Sequence, residues 1–73
     1  MPKLPVVSGK DVIKVLTHSG FRQLRQKGSH VTLYSVKIDR TVTMPLHGEL
    51  KPKTLKSILD RADITLDEFL KLL

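Results

Sequence analysis

The chain has 73 residues, 40% of them apolar and none of them cysteine. That is short for a self-sufficient core, and it excludes a disulfide framework or a thiolate metal site. Thirteen lysines and arginines against seven acids give a net charge of +6, which points to a polyanionic ligand, nucleic acid first, against the plainer reading of a solvated surface.

The charge is uneven: residues 1–30 carry +5, residues 31–56 carry +3 and residues 57–73 carry −2. A basic body thus precedes an acidic tail. No apolar run reaches the length needed to cross a bilayer, and the N-terminus lacks the apolar core of a signal peptide. The expectation is one domain over residues 1–73, cytoplasmic and without a membrane partner.

In chain order, "SGKDVIKVLTHSGF" predicts a helix. Ser8 and Asp11 have the spacing of a capping box, and Val12, Val15 and Leu16, with Ile13 beside them, form an apolar stripe. Gly20 is suited to end that helix, because glycine tolerates the left-handed conformation. Three short strands follow: "FRQLRQ" (21–26), "HVTLYSVK" (30–37) and "TVTMP" (41–45). They are joined by "KGS" and "IDR", turns short enough to imply antiparallel hairpins.

Alternation along the second strand puts Val31, Leu33 and Ser35 on one face and His30, Thr32, Tyr34 and Val36 on the other. Val42 and Met44 alternate with Thr41 and Thr43 in the third. After a loop, Pro52 fits the first turn of a helix through "KTLKSILDRA", with Leu55, Ile58 and Leu59 as its stripe. Thr65 and Glu68 then form a second capping box ahead of "LDEFLKLL". The order α-β-β-β-α-α predicts an α+β fold, a three-stranded antiparallel sheet with helices on one face and the other face open to water or a ligand.

Few residues offer chemistry. There is no glycine-rich phosphate loop, no nucleophile elbow and no His-x-x-x-His spacing. No dehydrogenase, kinase or hydrolase motif is met and no metal or small-molecule cofactor is expected. His18 near the end of the first helix reads as a residue favoured by the helix dipole.

His30 is different. It opens a strand directly after Gly28-Ser29, with Arg25 and Lys27 upstream. An imidazole with an ordinary pKa of about 6.5 exchanges protons near neutrality. RNA cleavage without a metal needs such a base to take the 2′-hydroxyl proton, and cations to stabilise the charge on the phosphate. Gly28 would let the backbone approach a phosphate and Ser29 would add a hydrogen bond. The pattern alone still favours a solvated histidine at a hairpin end. His47 reads as a loop histidine or an RNA contact. Tyr34 reads as a base-stacking or a cross-strand residue. Lys51 and Lys53 read as phosphate grips at a helix N-terminus or as a solvated turn.

The stretches "SGKDVIKVLTHSGF…RQKGSHVTLY" and "TVTMPLHGELKPKTLKSILDRADITLDEFLKLL" together resemble the HicA toxins of bacterial and archaeal toxin–antitoxin systems. The likeness runs from Ser8 to Leu73, and its most specific parts are Gly-Ser-His at 28–30, Pro-x-His at 45–47, and "LKPKTLKSIL" followed by a closing "DEFLKLL". The resemblance implies a fold like that of the double-stranded-RNA-binding domain. It also implies a ribosome-independent mRNA interferase whose catalytic residue is His30, and a HicB-type antitoxin that covers the RNA-binding face. It assigns His47 no settled role. The rival is a non-catalytic RNA-binding module of the same fold, in which His30 and Tyr34 only touch RNA.

Overall fold

The structure, a computed structural model, describes residues 6–73. Six elements follow one another: α1 (Gly9–His18), β1 (Arg22–Lys27), β2 (His30–Ser35), β3 (Arg40–Pro45), α2 (Pro52–Arg61) and α3 (Leu66–Leu72). The strands form one antiparallel sheet in the order β1-β2-β3. This is the expected α+β architecture. Observed boundaries differ from the expected ones by a residue or two. Lys27 belongs to β1, leaving Gly28-Ser29 as a two-residue turn, and β2 ends at Ser35 before the turn over residues 36–39.

Local chemistry accounts for the helix ends. Both capping boxes form: the Asp11 amide donates to Ser8 Oγ (3.2 Å) and the Ser8 amide to the Asp11 carboxylate (3.1 Å), and Thr65 and Glu68 repeat the exchange. At the end of α1, Gly20 takes φ +104°. The Phe21 amide reaches the Leu16 carbonyl (2.9 Å) and the Gly20 amide the Thr17 carbonyl (3.2 Å), the paired bonds of a Schellman closure. The end of α2 repeats this with Asp63 in the glycine position: φ is +58°, and the Ile64 amide donates to Leu59 O at 3.0 Å.

The sheet face that bears Val31, Leu33, Val42 and Met44 is buried against Val12, Val15 and Leu16 of α1, Leu55, Ile58 and Leu59 of α2 and Phe69 of α3. Ser35 lies on the same face and is buried, as the alternation required. β1 contributes nothing to this core. All six of its residues are exposed, and the buried apolar residue of that segment is Phe21, just before it.

Candidate functional site

The hairpin between β1 and β2 positions His30. Gly28 has φ +60°, whereas Ser29 is not in the left-handed region. Positive φ at the first turn residue alone is the pattern of a type II′ turn, where glycine is favoured. The need for Gly28 is therefore conformational in the first instance. A Cβ there would meet no atom within 4 Å, so space is not the constraint. The turn sets Lys27 directly across from His30 in the ladder, and on the other side of β2 His30 pairs with Pro45. His30 is exposed, on the sheet face away from the helices.

The chain after Pro45 is tied down at three points. The Leu46 amide donates to the Ser29 carbonyl (2.6 Å), the Gly9 amide to the His47 carbonyl (2.8 Å) and the Leu50 amide to the Val7 carbonyl (2.8 Å). Gly9 is essential to this packing. A Cβ at that position would lie 2.5 Å from the Pro45 carbonyl oxygen and 3.0 Å from Leu46 Cα, both backbone atoms. The first turn of α1 thus holds the Pro45–His47 segment against the end of the His30 hairpin. This role of Gly9 is not legible in the linear sequence. Its only visible signal was a glycine just after a helix cap, where one is common for local reasons.

Pro45, His47, Glu49, Leu50, Lys51 and Thr54 line a cleft of about 270 Å³. Pro45, which lines this cleft, is the residue opposite His30 in the ladder, while His30 itself is not part of the lining. Lys51 is the N-cap of α2 and makes no side-chain cap bond. Pro52 follows it, and no acid lies in the first turn. Lys51 and Lys53 therefore crowd positive charge onto the positive end of a helix dipole, an arrangement that costs stability unless an anion is present.

Of the expected site residues, the structure groups Lys27, Gly28, Ser29, His30, His47 and Lys51 at this end of the sheet, with Lys53 on the adjoining turn of α2. Arg25 lies one row further along, opposite Thr32. Tyr34 is not with them. It stands four residues from His30, about 13 Å at the usual strand rise of about 3.3 Å per residue. Its hydroxyl donates to the Asp39 carboxylate at 2.8 Å. That hydrogen bond, with lesser contributions from burial and the Asp39 charge, raises the Tyr34 pKa above the ordinary 10.0. The phenol is held neutral with its edge engaged, leaving the ring face for contacts.

Among the described residues no helix is long and apolar enough to cross a membrane. Comparison with curated proteins gives no match. The family model described as the HicA toxin of bacterial toxin–antitoxin systems matches residues 9–64, from the glycine that packs on Pro45 to the residue that closes α2. That span holds the hairpin, the cleft and the basic first turn of α2 but not α3. The chain belongs to the HicA toxin family, and is accordingly the toxin of a toxin–antitoxin system whose partner is an antitoxin protein.

Proposed function

We propose that this toxin is a metal-independent endoribonuclease that cleaves mRNA, with His30 as its general acid/base. The observation that carries the reading is the setting of His30. An exposed imidazole stands on a two-residue turn, with Lys27 opposite and a cleft bearing His47 and Lys51 alongside, in a chain of the HicA family. The neutral imidazole accepts the 2′-hydroxyl proton as that oxygen attacks the adjacent phosphorus. The bond to the 5′-oxygen breaks, leaving a 2′,3′-cyclic phosphate, and the leaving oxygen takes a proton from the imidazolium or from solvent.

In this reading Lys27, Lys51 and the Ser29 hydroxyl serve the phosphate. Lys53 and Arg25 bind flanking backbone, and His47 contacts RNA within the cleft. The lysines at the start of α2 support this reading, because their cost to the helix is offset when a phosphate binds there. The antitoxin, of the HicB type, acts by covering the same basic end.

The test is paired induction of the wild type and His30→Ala in a growing bacterium, with growth and intact mRNA followed together. Arrest and mRNA loss with the wild type alone is the expected result. Equal toxicity of the two proteins would remove His30 from the chemistry. Tight RNA binding with no cleavage by either would leave a non-catalytic binding module.

A further inference from the structure

The register of the sheet brings together residues that the sequence separates. In β1, Arg22 has even parity while Arg25 and Lys27 have odd parity, so strict alternation would put Arg22 on the opposite face. The ladder shifts between Gln23 and Arg25, a bulge that absorbs Leu24. Beyond the shift all three cations pair with the open face of β2: Lys27 with His30, Arg25 with Thr32 and Arg22 with Tyr34. The pairing of β2 with β3 completes three rows across the sheet. They are Lys27–His30–Pro45, Arg25–Thr32–Thr43 and Arg22–Tyr34–Thr41.

The rows are about 7 Å apart at the usual strand rise. Each holds one cation from β1, and the inner row adds two threonine hydroxyls whose oxygens are 3.4 Å apart. None of the three rows contains an acid. The Asp39 carboxylate beside the Tyr34 row is engaged by the Tyr34 hydroxyl, and Glu49 lines the cleft next to Pro45, beyond the His30 row.

We propose that this face is a track for single-stranded RNA, which runs from the Arg22 row to His30 and holds the strand on one side of the phosphate that is cut. The inference rests on the endoribonuclease reading and extends it to Arg22, Thr32 and Thr43. Arg22 and Arg25 contact phosphates upstream or downstream of the cleavage point, the threonines offer hydrogen bonds to sugar or phosphate, and the Tyr34 ring offers a base a surface to stack on.

The chemistry of the face favours RNA over a protein partner. A protein interface has an apolar centre, whereas these rows are cationic and hydroxylated, with Pro45 and the Tyr34 ring as their apolar parts. Interfaces with nucleic acid are more polar and more positive. Basic residues on an edge strand also deter strand-to-strand aggregation, and the experiment separates that role from RNA binding.

The experiment measures binding of a short single-stranded RNA to His30→Ala protein over a range of salt. It is repeated with Arg22→Gln, Arg22→Lys and Lys51→Gln added. Arg22→Gln is expected to weaken binding by at least about threefold and to flatten the dependence of log Kd on log salt by about 0.7, the value for one phosphate contact on a single strand. Arg22→Lys should retain binding, and thermal unfolding of both Arg22 variants should coincide with that of the parent because Arg22 is exposed. Lengthening the RNA on the side of the cleavage point that enters the track should strengthen binding to the parent and do so less in Arg22→Gln.

If RNA binds, and Lys51→Gln weakens it while Arg22→Gln changes neither affinity nor slope, the track is overturned and the endoribonuclease reading stands. If Arg22→Gln instead weakens only the antitoxin complex, the face belongs to the protein partner and the track is again overturned. If the RNA does not bind the parent protein at all, both readings fall.

Discussion

The two ends of β2 face the same solvent but are finished differently. At the Ser35 end the protein satisfies itself. Tyr34 bonds to Asp39, Arg61 Nε donates to the Thr41 carbonyl (2.9 Å), and Arg40 donates to the Arg61 carbonyl (3.2 Å), lashing β3 to the end of α2. At the His30 end it is the backbone that is lashed, through Ser29, Gly9 and Val7, while the imidazoles and lysines point away from the core. One end spends its polar side chains on the fold. The other uses main-chain bonds and leaves its side chains exposed, an arrangement that would suit the preorganised site proposed above.

The largest expected difference between the ends is catalytic. His30→Ala should lower RNA cleavage by about 10²–10⁴-fold, the usual contribution of a general acid or base. Tyr34→Phe, which keeps the ring and loses only the bond to Asp39, should leave the cleavage rate essentially unchanged. A comparable loss from both, measured on labelled RNA with purified protein, would break the distinction.

The core beneath both ends can be tested through α3, which lies outside the matched span 9–64 yet buries Phe69 completely. Phe69→Ala should cost about 3–5 kcal/mol, against a total of about 4–11 kcal/mol expected for a chain of this size. Urea unfolding reads the loss directly. A cost below that range would show α3 to be an appendage rather than part of the core.

Gly9→Ala tests the lashing at the His30 end. The new methyl meets the Pro45 carbonyl, so about 1–3 kcal/mol of stability should go. RNA cleavage should fall further than the residual folded fraction explains, because the Pro45–His47 segment must move. Gly48→Ala in the same loop is the control, since a Cβ there meets nothing within 4 Å.

A smaller effect, of opposite sign, is expected at the end of α2. Asp63→Gly relieves a left-handed conformation that costs an L-residue about 1–2 kcal/mol, less about 0.4–1 kcal/mol for the freer unfolded chain. Thermal unfolding should show a net gain of at most about 1.6 kcal/mol.

The finest distinction is spectroscopic. Tyr34 is the only tyrosine and there is no tryptophan, so ultraviolet titration isolates its phenol. It should ionise above 10.0, and Asp39→Asn should bring it back towards that value. The sign follows from linkage. A pKa raised in the folded state adds stability that is complete below the unfolded value of 10.0 and is lost as the pH climbs through the folded value. Ionisation at the ordinary value would show that the Tyr34 end is not closed by this bond in solution.

Much of the fold was legible from residues a few positions apart. Ser8 with Asp11, Thr65 with Glu68, Gly20 after its helix and the alternation of Val31, Leu33 and Ser35 all act within one helical turn or one strand, and each formed as expected. The candidate site was legible in part, since His30, Lys27 and the lysines at the start of α2 stand out in the linear sequence. The faces of β1 were not legible. Nothing within "RQLRQK" says that Leu24 is the extra residue, because a bulge is defined only against the partner strand.

By itself, then, the sequence determined the order of elements, the caps that end the helices, the buried face of β2 and β3, and the histidine after Gly-Ser. Capping and alternation depend on neighbours only a few residues away, so a linear reading captures them. Tertiary structure alone decided that Gly9 must be glycine, that Tyr34 is tied to Asp39 rather than gathered with His30, and that Arg22 shares a face with Arg25 and Lys27. Each of these depends on an approach between segments or on the register of two strands. Such contacts are set by how the whole core packs, which no single stretch of chain encodes.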